Sequence, residues 1–315
     1  MAKTKQPETL LEVVSYFADE RRAFEYIRDR RWPDGVSCPR CGSEKVKLIE
    51  TRSVWRCNGC RRQFSVKVGT IFEDSPIKLG KWLPAMWLIA NCKNGISSYE
   101  LAGDLGVTQK TAWFMLHRIR LSMQSGSFLL KGHVEADETY IGGKARNMHR
   151  SERQRLHSKG GGVGKTIVLG MLERGGKVAT TIIMRNDRRT MNREITRRVH
   201  GHSTLFTDAH KGYDGLEFFY QRMVIDHAVS YVEGNVHTNG LENYWSLLKR
   251  TINGTYVSVE PFHLHRYLDE QAFRFNARER TNFERFDKTV SGVIGKRLTY
   301  NDLTGKHLTN PVAQA

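Results

Sequence analysis

The chain has 315 residues and carries 50 Lys and Arg against 33 Asp and Glu, a formal charge of +17. That imbalance points to a polyanionic partner, and the length allows one large domain with smaller companions. No apolar run reaches the roughly 18 residues of a spanning helix, and the opening MAKTKQPETL has no apolar signal-peptide core. A membrane partner is therefore disfavoured, double-stranded nucleic acid is favoured, and a cytoplasmic, nucleoid-associated setting is expected.

Residues 1–31 form an N-terminal helical segment in this reading, because Leu10, Leu11, Val14, Phe17, Ala23 and Tyr26 recur at helical spacing among charges. From 32 to 75 the texture changes to short β-prone pieces, VKLIE, SVWRC and FSVKV, separated by turn residues. Cys38 and Cys41 form one CxxC pair, Cys57 and Cys60 a second, with 15 residues between the pairs. Each knuckle turns two thiolates onto one ion, so the four sulfurs suit one structural Zn2+ with no open coordination position. A segment so poor in apolar residues needs such a staple. Cys92 reads as a small core residue.

Residues 76–128 are expected to hold a helix-turn-helix. Ser97 starts a short helix, residues 103 to 107 supply a turn, and Thr108 caps a second helix, TQKTAWFMLHRIRLSM. On that second helix Ala112, Met115, Leu116 and Ile119 suit a buried face, while Gln109, Lys110, His117, Arg118 and Arg120 are the polar positions. Gln109, Lys110, His117 and Arg118 are the candidate DNA contacts. Further on, Lys159 to Thr166 imitates a phosphate-binding loop, but lysine stands where the first glycine is required. A basic loop is the better reading.

Residues 129–282 alternate strands and helices. HVEADETYIGG reads as a strand with Asp137 in its middle, followed by TIVLGMLER and VATTIIM as strands and TMNREITRRVHG as a helix. STLFTDAHKGY gives a fourth strand ending at Asp208, FYQRMVID a fifth, and TNGLENYWSLLKRTI a helix with Glu242. The order β-β-β-α-β-α-β-α is that of an RNase-H-like mixed sheet flanked by helices, so the fold class is α/β, preceded by a zinc ribbon and a helix-turn-helix. Asp137, Asp208 and Glu242 converge at one sheet edge in that fold. Phosphodiester transfer needs such a set, because two divalent cations activate the attacking hydroxyl and stabilise the departing oxygen. Hard cations prefer carboxylate oxygen, so two Mg2+ are expected, with Mn2+ able to substitute. Residues 283–315 read as a C-terminal tail.

These pieces resemble the insertion-sequence transposases of the family numbered 1595, also called ISXO-like. The matching segments are CPRC…CNGC, GTIFEDSPIKLGKWLPAMWLI, VEADETYIGGK, TDAHKGY, HTNGLENYWSLLKRTINGTY and YLDEQAFRFNAR. The resemblance implies a DDE-type transposase that recognises the terminal inverted repeats of its own element, cuts there and joins 3′-OH ends to target DNA, working as a homodimer or larger homo-oligomer. It also implies Asp137 and Asp208 as metal ligands. The third ligand stays open among Glu242, Asn239 and Asn243, since members of the family differ in carrying Glu or Asn. Spacing favours Glu242, with 33 residues back to Asp208 and six on to Lys249. Lys249 and Arg250 are candidate backbone grips, His237 a candidate phosphate or backbone contact, and Trp245 reads as core. Two alternatives remain, another RNase-H-like nuclease and a catalytically silent DNA-binding regulator.

Overall fold

Capping residues set the first helix starts. Thr9 and Glu12 form a reciprocal capping box on α1 (Leu10–Phe17), and Asp19 accepts from the Arg21 amide at the start of α2 (Glu20–Arg31). The computed structural model describes residues 6–143, 164–225 and 238–305. They fall into two units, one of residues 6–124 and 279–305, the other of residues 125–143, 164–225 and 238–278. The helical pair expected at the start is present, but Val13, Phe17, Ala23 and Ile27 are its buried positions. Phe17 and Ala23 of the expected face are buried, Leu10, Leu11 and Val14 are exposed, and Val13 and Ile27 are buried in place of Val14 and Tyr26.

In the first unit, β1 (Val46–Ile49), β2 (Val54–Cys57) and β3 (Gln63–Ser65) make an antiparallel sheet in that order. Its apolar side is aromatic: Trp55 stacks on Phe64 and on Phe24 of α2, with Trp32 edge-on at 5.3 Å. The ribbon is thus held by rings from α2 as well as by its cysteines. Beyond it, α3 (Leu79–Asn91) buries nine of its thirteen residues, which is why it reads as apolar all round.

The short helix α4 (Ser98–Leu105) opens with a Ser97–Glu100 capping box and closes on Gly106 at φ 58°, the left-handed conformation that favours glycine. Thr108 caps α5 (Gln109–Met123) by accepting from the Thr111 amide at 3.2 Å. The DNA-facing positions expected toward the C-terminal end of α5 are turned inward. His117, Arg118 and Arg120 are buried, and the Arg118 guanidinium donates to the carbonyls of Leu298, Ile71 and Glu73 at 2.9–3.0 Å. At 100° per residue Gln109, Lys110, His117 and Arg118 spread over about 180° of the helix surface, too wide for one solvent face, and packing has claimed the C-terminal two. Lys110 is exposed and Gln109 half-buried, its amide donating to the Ser98 hydroxyl.

The segment read as a tail contains a helix, Asn282–Ser291, whose Phe283, Phe286 and Val290 are buried. Phe286 lies 5.6 Å from Trp87 of α3, and Tyr26 of α2 donates to Asp287 at 2.8 Å. An i, i+3, i+7 apolar face needs a partner, and α1 to α3 supply it.

The second unit is built on a five-stranded mixed sheet of order β6-β5-β4-β7-β8. The strands are β4 (His133–Ile141), β5 (Thr166–Glu173), β6 (Val178–Ile183), β7 (Thr204–Asp208) and β8 (Gln221–Ile225). β4, β5 and β6 are antiparallel neighbours, while β7 runs parallel to β4 and β8 parallel to β7. One face packs on α6 (Arg188–Thr196) through Val134, Ala136, Leu169, Met171, Met191 and Ile195. The other packs on α7 (Asn239–Arg250) and α8 (Leu264–Asn276) through Val168, Leu172, Leu241, Trp245, Leu248 and Leu268. A helix was expected between β7 and β8; two 3₁₀ turns, Lys211–Tyr213 and Leu216–Phe218, stand there instead. Gly215 at φ 88° separates them, and a Cβ on Gly212 would come 2.3 Å from the Met191 sulfur, so this connection hugs α6 too closely to widen into an α-helix.

Candidate functional site

The four cysteines of the first unit meet. All their sulfurs lie within 4.8 Å of one another, with Cys38 and Cys60 3.7 Å apart and Cys41 and Cys57 3.5 Å apart. A tetrahedral S4 site with Zn–S near 2.3 Å spaces its sulfurs by about 3.8 Å, whereas a disulfide would draw two of them to about 2.05 Å. The residues fit a structural zinc. The knuckle backbone supports it: the Cys60 amide donates to the Cys57 sulfur at 3.4 Å, and that amide is the leading influence pulling the Cys57 thiol down to about 6.

In the second unit β4 alternates faces. Val134 and Ala136 go into the α6 core, so Glu135 and Asp137 turn toward α7. Trp245 of α7 donates its indole N–H to Asp137 Oδ2 at 2.9 Å, and Glu135 Oε2 accepts from the Leu241 amide in the first turn of the same helix at 2.9 Å. Glu135 is also paired with Arg174 at 3.0 Å. On the opposite face Glu138 accepts from the phenol of Tyr213 at 2.7 Å.

Asp208 ends β7. The register pairs Glu135 with Phe206, so Asp137 and Asp208 each stand two residues beyond the last paired positions and lie level on adjacent parallel strands. Asp208 Oδ1 accepts from the His210 amide at 2.9 Å, and Arg222 holds the strand end through Thr207 Oγ1 and the Asp208 carbonyl. His210 in turn stands 3.4 Å from the Asn186 amide.

Negative charge accumulates here. Burial, with added repulsion from Glu138 and Asp208 and a partly offsetting bond from Trp245, pushes the Asp137 carboxyl up to about 6. Burial and the same three carboxylates keep the Tyr213 phenol protonated well above its ordinary range. A carboxylate carries about four acceptor positions, so each aspartate can take a cation beside its N–H donor, and a cation would relieve the repulsion. The Asp137–Asp208 pair therefore fits a hard divalent ion.

The structure brings Asp137 and Asp208 together but leaves Glu242 apart. Glu242 is exposed on α7, one turn before Trp245, and among the described residues only the four cysteines form a group of three or more ligating side chains within 4.8 Å. Asn239 and Asn243 are exposed on α7, as are Lys249 and Arg250. His237 lies outside the described residues, as do residues 159–163 of the phosphate-loop mimic; Thr166 begins β5. Sequence reasoning missed Glu135, Glu138, Tyr213 and the Trp245 indole. For Glu135 a signal was available, since its i, i+2 spacing from Asp137 puts both carboxylates on one face of the strand.

No helix among the described residues is long and apolar enough to cross a membrane. Residues 129–276 match the model of the ISXO2-like transposase domain, and residues 18–63 match that of the transposase zinc-ribbon domain of the same IS1595 family. An uncharacterized protein in transposable element ISH50 of Halobacterium salinarum is 29% identical over 253 residues, covering 76% of this chain and 85% of that protein. An uncharacterized transposase-like protein of Haemophilus influenzae is 28% identical over 104 residues, 33% of this chain and 84% of its own. A cryo-EM structure of a simian T-cell lymphotropic virus intasome in complex with a PP2A regulatory subunit is 13% identical, covering 59% of this chain and 65% of its own at a TM-score of 0.28. The two family matches together take in more than half of the chain, on the segments that hold the cysteine cluster and the aspartate pair, and the chain belongs to the IS1595 family of ISXO2-like transposases.

Proposed function

We propose that this chain cuts the ends of its own insertion element and joins the freed 3′-OH ends to target DNA, using Asp137, Asp208 and Glu242 to hold two divalent cations. The observation that carries the reading is the level placement of Asp137 and Asp208 on adjacent parallel strands, with the Asp137 carboxyl raised to about 6 by burial and neighbouring acids. Such a partly desolvated pair of carboxylates retains a proton more readily when alone and takes a hard cation when one is supplied. Bound Mg2+ would lower the pKa of the attacking hydroxyl and stabilise the departing oxygen.

The strand order, with three antiparallel strands followed by two parallel ones and helices on both faces, supports an RNase-H-like reading of the second unit. Helical geometry supports Glu242 as the third ligand. At 100° per residue, Glu242 lies about 60° and Lys249 about 40° from Trp245 on the same side of α7, while Asn239 is about 120° and Asn243 about 160° away. Trp245 contacts Asp137, so Glu242 borders the aspartates more closely than either asparagine does. A rotation of its flexible side chain completes the set when a cation arrives. Lys249 and Arg250, exposed in the last turn of α7, supply positive charge for the phosphate backbone.

In the first unit, α4 and α5 with their three-residue connection support a helix-turn-helix reading, with Gln109 and Lys110 at the start of α5 as its DNA contacts. The ribbon, zinc-loaded, is a second DNA-facing module, and the inverted repeats of the element imply a homodimer or larger homo-oligomer. Incubating the protein with a duplex bearing the element end tests the reading: nicking at the end that requires Mg2+ or Mn2+ is expected, and metal-independent or absent cleavage by a DNA-bound protein would overturn it.

A further inference from the structure

Trp245 is 4% exposed, yet its one polar atom is not idle: the indole N–H reaches Asp137 Oδ2 at 2.9 Å. The ring gets there because the residue directly across from Asp137 on β5 is Gly170. A Cβ on Gly170 would stand 2.5 Å from Trp245 Cζ2 and 2.7 Å from Cη2, so the indole lies on bare strand backbone where any other residue would lift it off. The glycine has an ordinary backbone conformation, and its lack of a side chain is what matters.

A second clamp fixes the height of the ring. Glu135 accepts from the Leu241 amide, and Gly240 admits that carboxylate, since a Cβ there would stand 2.8 Å from Glu135 Oε2. Four helical residues, from Leu241 to Trp245, rise about 6 Å, and two strand residues, from Glu135 to Asp137, rise about 6.6 Å. The helix and strand are commensurate over this span, so seating Leu241 on Glu135 delivers Trp245 to Asp137.

We propose that Trp245 is a positioning residue that holds Asp137 Oδ2 and thereby fixes the carboxylate for a divalent cation, with Gly170 as the residue that makes room for it. This rests on reading Asp137 as a metal ligand. A ligand carboxylate held by an N–H donor has one orientation to offer; without the donor it rotates, and the cation meets a disordered ligand. Loss of such supporting hydrogen bonds typically weakens metal affinity by about 10–100-fold.

The test is a Mn2+ titration of the zinc-loaded, DNA-free protein followed by electron paramagnetic resonance, on wild type, Trp245→Phe and Asp137→Asn, with thermal denaturation alongside. Phenylalanine keeps an aromatic ring, smaller than the indole, and loses the donor. Should Trp245→Phe fold poorly, benzothienylalanine at 245, which keeps the bicyclic shape and replaces N–H by sulfur, takes its place. The expected result is a loss of Mn2+ affinity of about tenfold at nearly unchanged melting temperature, with cleavage restored at saturating metal. If Asp137→Asn loses Mn2+ binding while the donor-less variant binds like wild type, the positioning role is wrong and the ligand reading stands. If Asp137→Asn itself binds Mn2+ like wild type, the ligand reading has failed and the proposal falls with it.

Discussion

Asp137 and Asp208 end up level with one another on neighbouring parallel strands although 70 residues separate them along the chain. Both are half-buried, and their repulsion contributes to raising the Asp137 carboxyl to about 6. A fold that brings two acids together in a partly dry site accepts a cost in the absence of a cation. That cost can be measured.

The folded-state value of Asp137, about 6, lies above its ordinary 3.8. A raised carboxyl favours the folded state while protonated, so its contribution is fully present below about pH 4 and is lost as pH rises through about 6. Asparagine cannot ionise. With no added divalent cation, and no chelator that would strip the zinc, Asp137→Asn should melt several degrees above wild type at pH 7.5, and the gap should close by pH 4. Denaturation curves across that range check it, and a constant gap would contradict the assigned cause.

Zinc analysis should return one ion per chain, and Cys57→Ser should lose it. Because the aromatic packing of Trp55 on Phe24 and Phe64 remains, the expected lesion is local: loss of protection in residues 38–62 by hydrogen exchange, with the five-stranded sheet of the other unit unaffected. Retained zinc in Cys57→Ser would show that the sulfurs are not its ligands.

Arg118 and Lys110 should separate cleanly. Arg118→Ala leaves three carbonyls, two of them in buried bonds, without their donor and should destabilise the first unit by about 2–4 kcal/mol, read as a fall in melting temperature of roughly 6–12 °C. Lys110→Ala should leave the melting temperature unchanged and weaken DNA binding several-fold with a reduced salt dependence. A normal melting temperature for Arg118→Ala, with lost DNA affinity, would return Arg118 to the DNA face.

The contrast shows where sequence patterns carry and where they stop. The five strands of the second unit, the cysteine cluster and the caps at Ser97 and Thr108 follow from local rules of period, spacing and hydrogen bonding, whereas the helix expected between β7 and β8 gives way to two 3₁₀ turns held against α6. The burial of Arg118 is tied to residues 71, 73 and 298, which no local pattern on α5 can register. The same holds for helix Asn282–Ser291, whose apolar face was visible but whose partner lies some 200 residues earlier. In the site, the aspartates could be named from strand position, whereas the Trp245 bond depends on Gly170 across the sheet, a tertiary coincidence of two elements.

For the third ligand, Glu242→Gln should collapse Mg2+-dependent cleavage, with partial recovery in Mn2+, which tolerates poorer oxygen ligands. Asn239→Ala and Asn243→Ala should stay within a few-fold of wild type. The inverse pattern, cleavage lost in an asparagine variant and kept in Glu242→Gln, would move the ligand to that asparagine.

The central claim is joining, and one assay addresses it without depending on the cutting step. A labelled duplex with a pre-exposed 3′-OH at the element end is incubated with supercoiled plasmid, Mg2+ and wild-type, Asp137→Asn or Asp208→Asn protein, after gel shift shows that all three bind the duplex. The account predicts label covalently joined to plasmid with wild type and none detectable with either variant. Joined product from either variant at near wild-type yield, or a wild-type protein that nicks the end but never joins it, would contradict it.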